Sequence, residues 1–158
     1  MLRINTDPFP EAAALFISSL AVAAGSGKQY AVGQGPRPEP CFDNNTVTHS
    51  RPRWSVWEES ILPAYPEIAC GGASYRWVQA SLCASRAARL QAAAVRIPVL
   101  LFQAGEDVIV KPEGQDVFCA AAQDCAPVYF DGARHEILME ADSIRDRALA
   151  EIMIFLAE

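Results

Sequence analysis

The sequence predicts an α/β fold in which parallel strands are covered by helices. Three observations predict it. Ile97 to Ala104 is a nearly continuous apolar run without polar alternation, the pattern of a strand buried on both faces. Val128-Tyr129-Phe130 reads as a second short strand, separated from the first by a helix over residues 112–122. A further helix follows from Asp142, and the order strand, helix, strand, helix implies right-handed parallel crossovers.

Size and charge narrow the classes. The chain has 158 residues and is 51% hydrophobic, which suits one domain with a core of its own. A net charge of −6 argues against a nucleic-acid partner, because neutralising phosphates requires clustered Lys and Arg. No run approaches the roughly 20 apolar residues that span a bilayer; Leu15 to Gly25 is the most apolar stretch of the first half and is too short. Only Arg3 precedes Asp7, so the start lacks the basic head of a signal peptide. The expected location is the cytoplasm, at the membrane periphery at most. The five Cys are odd in number and contain no C-x-x-C, so they read as inert buried thiols in a reduced interior.

The elements follow in order. Met1 to Thr6 reads as the end of a strand, and Asp7-Pro8-Phe9-Pro10 as a turn. Glu11 to Ala24 is Ala- and Leu-rich, is stopped by Gly25-Ser26-Gly27, and is apolar almost all round, so it should be buried on several sides. Lys28 to Arg53 carries Gly33, Gly35, Pro36, Pro38, Pro40 and Pro52 and reads as a long irregular loop, a lid or binding loop. Trp54, Trp57, Ile61 and Leu62 then fall on one helical face. Gly71-Gly72 breaks the chain, and Ser74 can cap a helix running to about Ala94, with Trp77, Leu82, Ala87 and Leu90 at helical spacing. Residues 1–95 thus hold a strand end, a helix and a helical cap region, and residues 96–158 hold the terminal strands and helices of the core. Asp142 can cap the last helix, whose apolar stripe is Ile144, Leu149, Ile152 and Phe155.

Asp107 and His135 lie just past the ends of the two predicted strands, where functional groups gather in open parallel sheets. They are 28 residues apart, about one helix and one strand, so neighbouring strands can bring them side by side. A carboxylate bonded to one ring nitrogen fixes the tautomer and steadies the imidazolium, while the other nitrogen takes a proton from a nucleophile. On spacing alone, the pair is equally compatible with a turn aspartate and a loop histidine.

The surrounding residues sharpen this. Pro98-Val99-Leu100-Leu101-Phe102-Gln103-Ala104-Gly105-Glu106-Asp107 resembles the acid-bearing strand of α/β-hydrolases. Gly132-Ala133-Arg134-His135-Glu136-Ile137-Leu138-Met139-Glu140 resembles the histidine loop of the lysophospholipase and monoacylglycerol lipase group, also classed as serine aminopeptidase-like. Thr46-Val47-Thr48-His49-Ser50-Arg51 and Gly71-Gly72-Ala73-Ser74-Tyr75-Arg76-Trp77-Val78 are similar to segments of that group's helical cap. The resemblance implies the carboxyl-terminal part of an α/β-hydrolase fold, its last parallel strands and flanking helices, plus a helical cap. It implies Asp107 as triad acid, His135 as general base, and fatty-acyl esters of glycerol or glycerophosphate as substrates, with no cofactor.

One departure limits that reading. The family's nucleophile sits in a Gly-x-Ser-x-Gly elbow, in the chain order Ser, Asp, His. Gly72-Ala73-Ser74-Tyr75 begins such a pattern, but Arg76 stands where the closing Gly is required, and no oxyanion-loop motif precedes it. The half carrying Ser, oxyanion hole and most strands is expected to be missing, with Met1 to Thr6 as the end of the sixth strand. Ser50 and Ser74 are the fallback nucleophiles. The rival reading is a non-catalytic remnant or interaction protein, one that self-associates or docks with a separately made amino-terminal half.

Other features read as structural. Gly25-Ser26-Gly27-Lys28 lacks the spacing of a phosphate loop, with Val22 and Gln29 where Gly and Ser or Thr belong. His49 reads as a lid-bonding residue. Trp54, Trp57 and Trp77 read as cap core, with Trp54 and Trp77 as candidates for lining an acyl channel. Glu136 and Glu140 read as a solvated or helix-capping pair.

Overall fold

A computed structural model describes residues 2–157. The elements are α1 (Glu11–Ala23), α2 (Arg51–Ser55), α3 (Leu62–Ala64), α4 (Tyr75–Gln91), β1 (Val99–Ala104), α5 (Pro112–Ala121), β2 (Cys125–Phe130) and α6 (Asp142–Ala157). Wider π-type turns over Val56–Ile61 join α2 to α3. The strands pair in parallel, from Val99 with Cys125 to Ala104 with Phe130. β2 begins three residues earlier than predicted. Pro127 hides that start in the sequence, yet an edge strand tolerates a residue without an N–H.

Alternation along the strands places Phe102, Ala104, Val128 and Phe130 on one face, against Ile144 and Ala148 of α6. Phe130 is fully buried, with its ring edge-on to Phe102 at 5.0 Å and the Arg147 guanidinium 4.6 Å over its face. On the other face Gln103 donates to Asp116 of α5 at 2.6 Å. β1 is therefore less enclosed than its apolar run predicts: only Leu101 is buried. Among the described residues β1 pairs with β2 alone, so its other edge lacks a strand.

The amino-terminal segment does not supply that edge. Ile4 instead makes an antiparallel bridge to Val110, and the Asn5 and Lys111 N–H groups donate to Ile109 and Arg3 carbonyls, both at 2.8 Å. Gly114 admits this approach, because a Cβ there would lie 2.4 Å from that of Arg3. Arg89 of α4 ties the segment further, donating to the Leu2 carbonyl and pairing with Glu11.

Ser74 caps α4 as predicted, its hydroxyl accepting the Trp77 N–H at 3.2 Å. Helix α1 packs on α4, where Gln79 donates to Ser19 at 3.1 Å. It is not buried on several sides: Phe16 and Leu20 are 69% and 61% exposed, and Ser18 is its sole buried residue. Gly25, at φ +83°, ends α1 with the Ser26 N–H on the Ala21 carbonyl. The Gly-Ser-Gly-Lys run is thus a helix stop rather than a phosphate cradle. Asp142 is the first residue of α6 rather than its cap.

The cysteines also depart from expectation. Cys119 and Cys125 form a disulfide across the short turn from α5 to β2, while Cys41, Cys70 and Cys83 are exposed thiols. The parity rule missed this because one local pair needs no framework. Among the described residues, no helix is long and apolar enough to cross a membrane.

Candidate active site

The two strands end together, and their loops are stitched to each other. The Gly105 N–H donates to the Phe130 carbonyl at 3.0 Å, and the Glu106 N–H to the Ala133 carbonyl at 2.8 Å. Gly105 leaves room for the Tyr129 side chain, whose hydroxyl would lie 2.5 Å from a Cβ there and would have to move aside. Gly132 turns the second loop at φ +68°, a left-handed conformation that costs other residues energy.

This crossing brings Asp107 and His135 together. Asp107 Oδ2 lies 2.8 Å from His135 Nδ1. Asp107 Oδ1 accepts the Ile109 N–H at 2.7 Å and the Val110 N–H at 2.9 Å, so the carboxylate is clamped by its own loop. Its side chain is 11% exposed against 25% for His135. The acid is thus the more enclosed partner. With Nδ1 engaged by a carboxylate, Nε2 is the ring nitrogen free to accept a proton.

The strongest feature that sequence reasoning missed is Glu140. Glu136 and Glu140 read as a solvated or helix-capping pair, and Glu136 is exposed, but Glu140 is completely buried even though it does accept an N–H just ahead of α6. Its carboxylate accepts N–H groups from His49 (3.0 and 3.1 Å), Arg134 (2.9 Å) and Ala141 (3.1 Å) and meets His49 Nδ1 at 3.1 Å. Burial alone would raise its pKa. The three backbone donors and the His49 ring outweigh that and hold it below the ordinary carboxylate value. A Glu just ahead of a helix start looks like a surface cap in sequence, so nothing there betrays the burial.

The His49 ring is bonded on both sides, with Nε2 also 3.3 Å from Glu106. Around it, Thr48 donates to the Met139 carbonyl at 2.7 Å, Arg134 to the Asn45 carbonyl at 2.9 Å, and the Glu136 N–H to the Val47 carbonyl at 2.9 Å. These bonds tie residues 45–49 to the loop that carries His135.

An apolar groove of about 1160 Å³ lies between α1, the start of α4 and the amino-terminal segment. Trp77, Tyr30, Phe9 and Ile17 help line it, and Ile109 reaches it from two residues beyond Asp107. Trp54 is instead buried, edge-on to Phe42 at 5.5 Å, away from the groove lining. Ser74 lies on the groove wall with its hydroxyl engaged as a helix cap, and the buried Ser50 hydroxyl accepts from Arg53 at 3.3 Å. Among the described residues, no group of three His, Cys, Asp or Glu is placed to hold a metal ion.

Known proteins resemble this chain in sequence and in fold. The chain is 35% identical to lysophospholipase L2 of Escherichia coli K12 over 136 residues, covering 80% of this chain and 39% of the relative. It is 28% identical to the probable lysophospholipase L2 of Haemophilus influenzae over 140 residues, covering 89% and 44%. The chain thus spans about two fifths of the length of the curated relatives it matches. Among solved structures, its fold resembles the monoglyceride lipase of Saccharomyces cerevisiae (TM-score 0.66, 16% identity, 99% of this chain and 52% of that one). It also resembles the monoacylglycerol lipase of Paleococcus ferrophilus (TM-score 0.62, 20% identity, 88% and 51%). The family model described as "Serine aminopeptidase, S33" matches residues 17–142, and the chain belongs to that family of α/β-hydrolases.

Proposed function

We propose that this chain is the acid- and base-bearing part of a carboxylic ester hydrolase that cleaves acyl-glycerol or lysophospholipid esters through a Ser-Asp-His triad. The observation that carries the reading is the 2.8 Å contact between Asp107 and His135, with the other Asp107 oxygen fixed by two backbone N–H groups. In this mechanism His135 Nε2 removes the proton of a serine hydroxyl as it attacks the ester carbonyl. The imidazolium, steadied by Asp107, returns the proton to the departing alkoxide, and water releases the acyl group by the same steps in reverse. The apolar groove with Trp77 on its wall suits an acyl chain. No Gly-x-Ser-x-Gly elbow occurs in these 158 residues, so the serine must come from another polypeptide segment.

The test joins the portion of E. coli lysophospholipase L2 that precedes the matched region to this chain and assays lysophosphatidylcholine hydrolysis. The chimera is expected to turn over, and His135→Ala to lose at least about a thousandfold. A cooperatively folding chimera that is inactive, or one indifferent to His135→Ala, refutes the reading.

A second reading has its own observation. The exposed apolar side chains on α1, and Met153, Ile154 and Leu156 on α6, favour a chain that associates with another polypeptide, whether or not it takes part in catalysis.

A further inference from the structure

We infer that Glu140 is the positioning residue of the histidine loop, holding the His135 ring on Asp107 and making that placement depend on the cap. This rests on the acid–base reading of Asp107 and His135. His135 follows directly on Arg134, and the Arg134 N–H donates to the Glu140 carboxylate at 2.9 Å. One carboxylate therefore fixes the backbone that carries the base. The same carboxylate accepts the His49 N–H and meets the His49 ring, both from the cap side. Its remaining bond to the Ala141 N–H anchors it at the start of α6. A fully buried anion with every bond spent on three chain segments fixes their relative positions, because moving any one strips a bond from a charge that water cannot reach.

The surrounding bonds act in the same sense. Arg134 reaches back over the cap loop to the Asn45 and Thr48 carbonyls, and Arg53 donates from α2 to the Glu140 carbonyl. A shift of residues 45–53 therefore pulls on both sides of His135. The cap's position is transmitted to the base through Glu140.

The chain has only two histidines, His49 and His135, so ring 15N and proton spectra of the full chain report on both sites. The intact chain is expected to show His135 protonated at Nδ1 with a downfield-shifted ring proton. Glu140→Gln replaces one acceptor by an NH2 group facing backbone donors. It is expected to abolish the downfield proton and mix the tautomers. Leu82→Ala, which cuts a cavity under α4, is expected to lower the melting temperature and leave the His135 signals unmoved. Should Glu140→Gln fail to fold, His49→Asn removes the ring contacts to Glu140 and Glu106 and is expected to shift the His135 proton, while Glu106→Gln, which alters the Glu106 contact alone, is expected to leave it unmoved. Unchanged His135 signals in Glu140→Gln, or in a folded His49→Asn chain, overturn the inference. Equal loss in Leu82→Ala does so too, since the effect would then be global. Asp107→Asn separates the two readings: if it leaves the downfield proton intact, the acid–base pairing itself fails, whatever Glu140 does.

Discussion

Asp107 divides its carboxylate between two tasks, and only one of them involves His135. Oδ2 meets the ring at 2.8 Å, while Oδ1 holds the Ile109 and Val110 N–H groups. Val110 is the residue that bridges to Ile4, so the acid also shapes the segment on which the amino terminus rests. Stability and chemistry are therefore separable at this position.

Asp107→Ala leaves two backbone donors without their acceptor and is expected to destabilise by about 2 kcal/mol, near 5 °C in melting temperature for a chain of this size. Asp107→Asn keeps an amide oxygen for those donors and should lose less than half as much. In the chimera assay both should lose most of the activity, because Asn cannot steady the imidazolium. Equal melting losses for the two variants would show that Oδ1 does not clamp the loop.

Glu140 makes a pH-dependent contribution of definite sign. Its folded pKa lies below its ordinary value of 4.5, so the unfolded chain binds the proton first as pH falls. The stabilisation is complete above that value and drains away as pH drops through the lower folded pKa. Urea unfolding of the chain and of Glu140→Gln should differ by a constant amount above about pH 5.5, and the gap should close on further acidification. Asp142, also held low by Arg53, is present in both proteins and cancels from the comparison. A gap that widens in acid contradicts the assignment.

The parts legible in sequence were those set by local chemistry. Ser74 as a cap, Gly25 as a helix stop and the strand-to-loop positions of Asp107 and His135 follow from backbone rules and crossover geometry. Burial was less legible, because it depends on what packs against an element. The apolar surface of α1 and the run in β1 both read as enclosed, yet Phe16 and Leu20 face outward and β1 keeps a free edge. Glu140 failed in the opposite direction: a charged residue is presumed solvated until three segments converge on it. The pairing of Ile4 with Val110 was illegible for a related reason, since a short apolar segment suits either edge.

The disulfide offers a chemical count. Thiol titration of the native chain should find three reactive groups, Cys41, Cys70 and Cys83, and five after reduction. Reduction should cost about 2 kcal/mol, the chain-entropy value for so short a loop. Five reactive thiols in the purified, unreduced chain would contradict the pairing.

The last prediction concerns association. Phe16 and Leu20 on α1, Leu90 on α4, Ile97 ahead of β1, and Met153, Ile154 and Leu156 on α6 are all at least 60% exposed. Single exposed hydrophobics are ordinary, but here most of them lie on helices, and among the described residues β1 has one edge that no strand pairs. Withdrawing such surface from water stabilises by roughly 25 cal/mol per Å², and an open strand edge gives that attraction a register. The net charge of −6 opposes close approach only weakly once salt screens it, over about 8 Å at physiological ionic strength. The chain is therefore expected to self-associate at micromolar concentration. In sedimentation velocity its average mass should rise with concentration and resist added salt. Glu or Lys placed at both Phe16 and Met153 should lower that mass without lowering the helix signal, since both side chains already face solvent. A concentration-independent monomer with one sharp thermal transition would show that the exposed apolar side chains and open edge do not drive association.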